Sequence, residues 1–297
     1  MLEVRNLVKR YGSLVAVDDL SFTVERGETF GLLGPNGAGK STAMLCAVGA
    51  LTPDSGSITV AGRSDPRQAE VRRGLGLCPQ TISLYAELTA DENLRFFGEL
   101  YGLEKETLAT RIDYCLEFAG LADRRHDQVR TYSGGMQRRL NMAVALIHDP
   151  PVLLFDEPTV GVDPQSRNHI FDCIARLQRE GRTIVYTTHY MEEVERLCSR
   201  AAIVDRGKLL ACDTVPALLD KHGGASEVIA EFESAPPAGT SLPGRWEGAV
   251  CRLEATTAMK GLASIAAAGL AARTLATNRP TLEHVFLHLT GRSLRDE

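Results

Sequence analysis

The sequence predicts an α/β protein with a parallel sheet flanked by helices and a small α+β appendage behind it. Three observations carry this. Short, fully apolar runs such as "VLLFD" and "TIVYTT" have the texture of buried strands. They alternate with amphipathic stretches of helical period, such as "SRNHIFDCIARLQREG", and strands alternating with helices imply a parallel sheet. Finally, a glycine-rich turn, "GLLGPNGAGKST", stands between an apolar run and a helical one.

The elements follow in order. Residues 1 to about 80 are strand-rich, with "LEVRNLVKRYG", "VDDLSFTVERGE" and "GSITVAG" set off by glycine and charge. From Thr89 to Ile147 the apolar spacing becomes helical. "TADENL" predicts a helix start with Thr89 as N-cap and Glu92 three residues on. From Pro151 strands and helices alternate up to "RAAIVDRGKLLA". A boundary is expected at "KHGGAS", dividing residues 1–222 from 223–297, with a helical subdomain over about 85–147. Beyond it "SEVIAEFE" and "GAVCRLEA" read as strands around the loop "SAPPAGTSLPG". The final "TLEHVFLHLTG" sets Leu282, Val285, Phe286 and Leu289 on one helical face.

Composition narrows the function classes. The chain has 297 residues, 44% of them apolar and 24% charged, as in ordinary globular proteins. A formal net charge of -5 argues against a dedicated nucleic-acid binder. Seven cysteines, an odd number with no C-x-x-C pair, read as reduced thiols of a cytosolic compartment. The start "MLEVRNLVKRYG" lacks a signal-peptide core, and "LASIAAAGLAA" is about half a membrane span. A membrane role is therefore expected to run through a partner.

The glycine-rich turn fits G-x-x-x-x-G-K-[ST], with Gly34, Gly39, Lys40 and Ser41 at the fixed positions. Backbone N–H groups must wrap phosphates closely, and Cβ atoms would obstruct them. The helix start near Gly39 aims its positive dipole end at the phosphates. Lys40 adds a point charge, and the Ser41 hydroxyl suits Mg²⁺. Residues Gly34, Pro35, Asn36, Gly37, Ala38, Gly39, Lys40, Ser41 and Thr42 are thus the candidate phosphate loop. "VLLFDEP" places Asp156 and Glu157 at the carboxyl end of a buried strand, where ligands bind in open α/β sheets. Neighbouring strand residues point to opposite sides, so the two acids take separate roles. Asp156 suits the Mg²⁺ shell, through water, and Glu157 a base that polarises the attacking water.

With "YSGGMQRR" added in this order, residues 1 to about 220 resemble the ATP-binding cassette of ABC transporters. The ending "LEHVFLHLTGRSLRD" is similar to that of ABC-2-type exporter ATPases. The resemblance implies a P-loop NTPase cassette: an antiparallel β subdomain, a RecA-like parallel-sheet core and a helical subdomain. It implies ATP and Mg²⁺ as ligands and hydrolysis of ATP. Tyr11 in "KRYG" would stack on adenine, worth ~1–3 kcal/mol per base. Gln80 in "LCPQ" would reach the Mg²⁺ and the attacking water, and His189 in "YTTHYMEE" the γ-phosphate. Ser133, Gly134, Gly135, Met136 and Gln137 form the signature, which binds the γ-phosphate held by another copy. Asp163 in "GVDP" sits in the loop that crosses to that copy. Two departures stand out: the usual L-S-G-G-Q is Y-S-G-G-M here, and Val160 stands where Ser is commoner. Neither touches Lys40, Asp156, Glu157 or His189.

The implied partners are a second copy of the chain and an integral membrane permease of the ABC-2 type, at the cytoplasmic face of the inner (plasma) membrane. Tyr85, Phe96, Phe97 and Tyr101 are candidates to line the permease groove or simply to be core. Arg138 and Arg139 read as a solvated helix face. His284 and His288 stand four apart, a metal-binding spacing without a further ligand set. A soluble ABC protein acting on nucleic acid or ribosomes is the alternative. It is disfavoured by the single cassette and the absence of a heptad arm. A regulatory module that binds ATP and rarely hydrolyses it is disfavoured by Glu157 and His189 together.

Overall fold

A computed structural model describes residues 1–234, 242, 244–255 and 258–292. The chain forms two compact units, Met1–Val215 and Pro216–Glu297. The first unit begins with strands β1 (Leu2–Tyr11), β2 (Leu14–Val24) and β3 (Thr29–Leu33), then helix α1 (Lys40–Ala47). Strands β4 (Ser55–Val60) and β5 (Arg63–Ser64), the short helix α2 (Ala69–Arg72) and strand β6 (Leu75–Cys78) follow. Three helices come next: α3 (Ala90–Leu100), α4 (Lys105–Ala119) and α5 (Gly134–Leu146). The alternating part comprises β7 (Val152–Asp156), α6 (Pro164–Arg179), β8 (Thr183–Thr188), α7 (Met191–Leu197), β9 (Arg200–Asp205) and β10 (Lys208–Thr214).

Two sheets result. An antiparallel sheet has the order β2-β1-β4-β5, and a six-stranded sheet the order β10-β9-β3-β8-β7-β6. In the latter β9, β3, β8, β7 and β6 run parallel, and β10 closes one edge antiparallel. Every residue of β3, β7 and β8 is buried, which explains their unbroken apolar texture. The two sheets share one core, in which Leu2, Val4 and Ile58 pack with Leu32, Val152 and Val185. Phe22 and Phe30 stack across it at 5.4 Å between ring centroids.

The helical segment starts as the sequence predicts. Thr89 Oγ1 accepts from Glu92 N, and Thr89 N donates to Glu92 Oε2, a reciprocal capping box on α3. Strand β6 escapes the sequence reading. It has four residues, and Gly76 is fixed by packing: a Cβ there would come 2.2 Å from the Ala145 carbonyl oxygen. Four residues with a glycine among them carry too little periodicity to be seen.

The second unit holds α8 (Val215–His222), β11 (Ser226–Glu231), β12 (Arg245–Glu247), β13 (Val250–Ala255), α9 (Ala258–Ala267), β14 (Thr274–Asn278) and α10 (Leu282–Thr290). Its sheet is antiparallel, in the order β12-β13-β11-β14. Val228, Ala230, Cys251, Leu253 and Ile265 form its small core. On α10, Leu282, Val285 and Phe286 are buried and Leu289 is half-buried, whereas Leu287, off that face, is exposed. The side chains of β14 are all exposed, so only its backbone pairing with β11 marks it as a strand. Most of the loop read over 234–244, and the end of the chain from 293, lie outside the described residues.

Candidate active site

Strands β3, β8, β7 and β6 are neighbours, and a loop leaves the carboxyl end of each. The loop after β3 runs from Gly34 to Gly39; Gln80 follows β6, Glu157 follows β7, and His189 follows β8. Parallel pairing therefore brings four segments, far apart in sequence, to one edge. They meet at a cavity of about 730 Å³ lined by Asn36–Thr42, Gln80, Glu157, Val160 and His189, with Tyr11, Leu14, Val15, Ala16 and Arg206 on the other side. This is the size of a nucleotide-scale pocket.

The phosphate loop is held by close backbone contact. A Cβ on Gly34 would lie 2.1 Å from the Val204 carbonyl oxygen, and one on Gly39 2.2 Å from that of Ala16. Gly39 also has φ 96°, open to glycine at little cost. Lys40 is buried, and its Nζ donates to the carbonyls of Gly34 (2.8 Å) and Pro35 (3.0 Å). Its third contact is Glu157 Oε1 at 2.9 Å, a buried ion pair. Tyr11 is 47% exposed at the cavity rim, with Lys9 Nζ 5.7 Å from its ring centroid.

Glu157 gathers the other groups. Its Oε2 accepts from Gln80 Nε2 at 3.3 Å and lies 3.2 Å from His189 Nδ1. The backbone here is left-handed, with φ 46°, unusual for a residue bearing a side chain. Thr187 stabilises that turn: its Oγ1 accepts from Glu157 N (3.0 Å) and donates to Asp156 Oδ1 (2.5 Å). One hydroxyl thus orients both acids, and nothing in the sequence singles Thr187 out from its neighbour Thr188. Asp156 is buried and set back from the cavity lining. The Ser41 hydroxyl, the Gln80 amide oxygen and the Asp156 carboxylate are an all-oxygen set, which fits hard Mg²⁺. At the end of β6, burial pushes the Cys78 thiol up to about 12, keeping it inert.

The signature segment and Asp163 are not part of this cavity. Ser133 caps α5, its Oγ accepting from Met136 N at 3.3 Å, and both Ser133 and Gly134 are exposed. The two glycines differ. A Cβ on Gly134 would meet nothing within 4 Å, whereas one on Gly135 would sit 1.9 Å from Ser166 Oγ. Gly135 is thus required by the approach of α6. Gln137 turns back to donate to the carbonyls of Val129 (3.3 Å) and Tyr132 (3.4 Å), bracing the turn before Ser133. Asp163 caps α6, accepting from Ser166 N (2.9 Å) and Ser166 Oγ (2.6 Å), and these bonds hold its carboxyl below the usual range.

The reading of Arg138 and Arg139 as a solvated face is overturned. Arg138 is 6% exposed, and its guanidinium donates to the carbonyls of Pro79 (3.2 Å), Gln80 (2.6 Å) and Val160 (3.4 Å). Arg139 donates to the carbonyl of Ala119. Helical periodicity could not show these partners, because they lie in loops and at the end of α4, packed from elsewhere. Among the aromatics, Tyr85 and Phe96 are exposed and meet edge to face at 4.9 Å, while Phe97 is half-buried beside them. Tyr101 instead stacks on His148 at 3.6 Å. In the second unit, His284 Nδ1 contacts Thr281 at the start of α10, and His288 lies 6.3 Å from the His222 ring. No helix among the described residues is long and apolar enough to cross a membrane.

Comparison with known proteins identifies the family. The family model described as ABC transporter matches residues 17–160. The linearmycin resistance ATP-binding protein of Bacillus subtilis is 42% identical over the full length of both chains. A Nod factor export ATP-binding protein of Cupriavidus pinatubonensis is 41% identical, covering all of this chain and 92% of its own. Among solved structures, an ATP-binding subunit of an ABC transporter superposes with a TM-score of 0.67 at 31% identity, over 73% of this chain and 91% of its own. A dimeric ATP-binding cassette in a post-hydrolysis state, bound to ADP and Pi, superposes at 0.65 and 25% identity, over 72% and 98%. With its phosphate loop, Glu157 and His189 converging on one cavity, the chain belongs to the ATP-binding subunits of ABC transporters and is an ABC-type ATPase.

Proposed function

We propose that two copies of this chain bind Mg·ATP head to tail and, by hydrolysing it, drive export through a separate transmembrane subunit of the ABC-2 type. The observation that carries this is the convergence on Glu157 of Lys40 at 2.9 Å, His189 at 3.2 Å and Gln80 at 3.3 Å. In this reading Tyr11 stacks on the adenine, and the backbone of residues 34–42 wraps the phosphates with Lys40. Ser41 and Gln80 would hold Mg²⁺, with Asp156 reaching it through water, and the ion would supply positive charge beside the phosphates. Glu157 takes a proton from the water that attacks the γ-phosphorus, and the bond from that phosphorus to the bridging oxygen of ADP breaks. His189 holds the γ-phosphate and that water in place.

Ser133 and the start of α5, where Gly134 is exposed and Gly135 is packed behind it, serve the nucleotide of the opposite copy, and Asp163 lies in the loop that crosses to it. The capped, exposed start of α5 supports that role, since unpaired N–H groups at a helix start attract anions. The solved dimer bound to ADP and Pi supports the assembly. Export is supported by the relatives, whose names include resistance and export and which align over nearly the whole chain. Tyr85 and Phe96 are the exposed aromatics that fit a permease segment. A chain with no membrane-crossing helix among its described residues would then sit at the cytoplasmic face of the inner membrane through that permease.

Replacing Glu157 with Gln is the test. Turnover should fall by roughly 10²–10⁴-fold, the usual worth of a general base, while ATP binding persists and an ATP-bound dimer accumulates. Normal hydrolysis by Glu157→Gln would refute the assignment of the base.

A further inference from the structure

Glu193 is a buried carboxylate away from the nucleotide cavity. It lies on α7, four residues after His189, with its side chain fully covered. Four donors converge on it. Thr159 Oγ1 (2.7 Å) and Arg167 Nε (2.9 Å) donate to Oε1, while Thr188 Oγ1 (2.7 Å) and Tyr186 OH (2.9 Å) donate to Oε2. A buried anion is retained only where donors replace water, and this one has a full set.

The donors come from both sides of the site. Thr188 immediately precedes His189, and its Oγ1 also accepts from Tyr190 N at 2.9 Å. That hydroxyl therefore spans His189, tying the backbone beyond it to the carboxylate. Thr159 lies two residues after Glu157, in the loop that leads to Asp163, and Arg167 is on the first turns of α6 behind Asp163. One oxygen thus holds the histidine loop and the other holds the loop after the base. With an amide in place of the carboxylate, one of these pairs would face an NH₂ where an acceptor is needed.

We propose that Glu193 is a positioning residue for hydrolysis: its two oxygens lock the loop bearing His189 to the loop running from Glu157 to Asp163, so that base and histidine keep one register. This rests on the catalytic reading of Glu157 and His189 given above. A misplacement of about 1 Å in such a site is enough to cost turnover on the order of 10²-fold. Glu193 itself touches no cavity-lining atom of the phosphate loop, so nucleotide binding should be spared.

The experiment is a cycle on the purified full chain with Mg·ATP, combining Glu193→Gln, His189→Ala and both together, with kcat and KM per folded protein. Glu193→Gln should lower kcat roughly 10-fold or more with KM for ATP within about twofold of the parent. The double variant should be no slower than His189→Ala alone, because the two act as a unit. Thr188→Val, which removes only the tie across His189, should show the same split if Glu193→Gln folds poorly. Losses that multiply in the double variant, a rise in KM in place of the fall in kcat, or kcat unchanged in either single positioning variant would overturn the proposal. Unchanged kcat in His189→Ala would instead overturn the catalytic reading beneath it.

Discussion

Gly135 separates two explanations of the signature glycines. If both merely left backbone N–H groups open, Gly134→Ala and Gly135→Ala would have similar effects on the fold. The structure predicts otherwise. At Gly135 a new Cβ falls 1.9 Å from Ser166 Oγ and 2.4 Å from Ser166 Cβ. Carbon atoms pack at about 3.5–4.0 Å, so α5 and α6 must part by ~1 Å or more. The serine cannot yield by rotating. Its Oγ is bonded to Asp163 Oδ2 at 2.6 Å, and its Cβ clashes in any rotamer.

Overpacking of this kind costs about 1–3 kcal/mol, and disturbing the Asp163 cap adds ~1 kcal/mol. At roughly 2–4 °C per kcal/mol for a unit of this size, Gly135→Ala should melt ~4–16 °C below the parent. Gly134→Ala, with nothing within 4 Å, should stay within about 0.5 kcal/mol. Ser166→Gly, which removes both clashing atoms, should restore most of the loss when combined with Gly135→Ala. Thermal unfolding followed by circular dichroism reads all four proteins. Coincident melting of Gly134→Ala and Gly135→Ala, or no rescue by Ser166→Gly, would refute the packing argument.

Burial moves the His148 imidazole down to about 4, against a bond to the Leu75 carbonyl that raises it; Arg111 lowers it and Asp149 raises it. Its other nitrogen, Nδ1, is buried with no partner for a second proton. Because the folded value lies below the unfolded 6.5, the unfolded chain binds more protons between them, and stability is lost as pH falls from about 6.5 toward 4. From pH 7 to 5 this amounts to ~2 kcal/mol, so His148→Phe, which keeps a ring against Tyr101, should flatten that part of the curve of Tm against pH; an equally steep curve would count against it. Arg138→Met should lower stability by about 2–4 kcal/mol, since three part-buried carbonyls lose a charged donor, and Arg138→Lys should recover under half of that because an ammonium lacks the guanidinium fork. Chemical denaturation checks both, and a loss under ~1 kcal/mol in Arg138→Met would contradict the buried assignment.

What could be read from the sequence was set by local pattern. Strands β7 and β8 are buried along their whole length, so apolar runs gave them away, and the capping box on α3 is visible as T-x-x-E. The phosphate loop is legible because its glycines, lysine and serine are contiguous. The network that holds the site is not contiguous. Glu192 and Glu193 are neighbours of the same type, yet the first is exposed and the second buried, because 100° of helix rotation separates their faces. Arg138 has the same difficulty: an arginine in a helix defaults to solvent, and only the packing of residues 79–80 and 160 against α5 gives it three acceptors. Gly135 was legible as a glycine and not as a contact, since Ser166 lies in another helix.

The site is self-neutralised within one chain. Lys40, which should bind phosphate, is paired at 2.9 Å with Glu157, which should bind water. Both are buried, so the pair is screened little. An arriving polyphosphate is the stronger partner for Lys40, because it brings more charge and accepts backbone N–H groups as well. On the proposed function, parting from the lysine would leave Glu157 with Gln80 and His189, which contact its other oxygen. Nucleotide binding and arming of the base would then be one event. The left-handed turn at Glu157, held by Thr187, keeps its side chain between the two sets of partners, which is where such an exchange requires it.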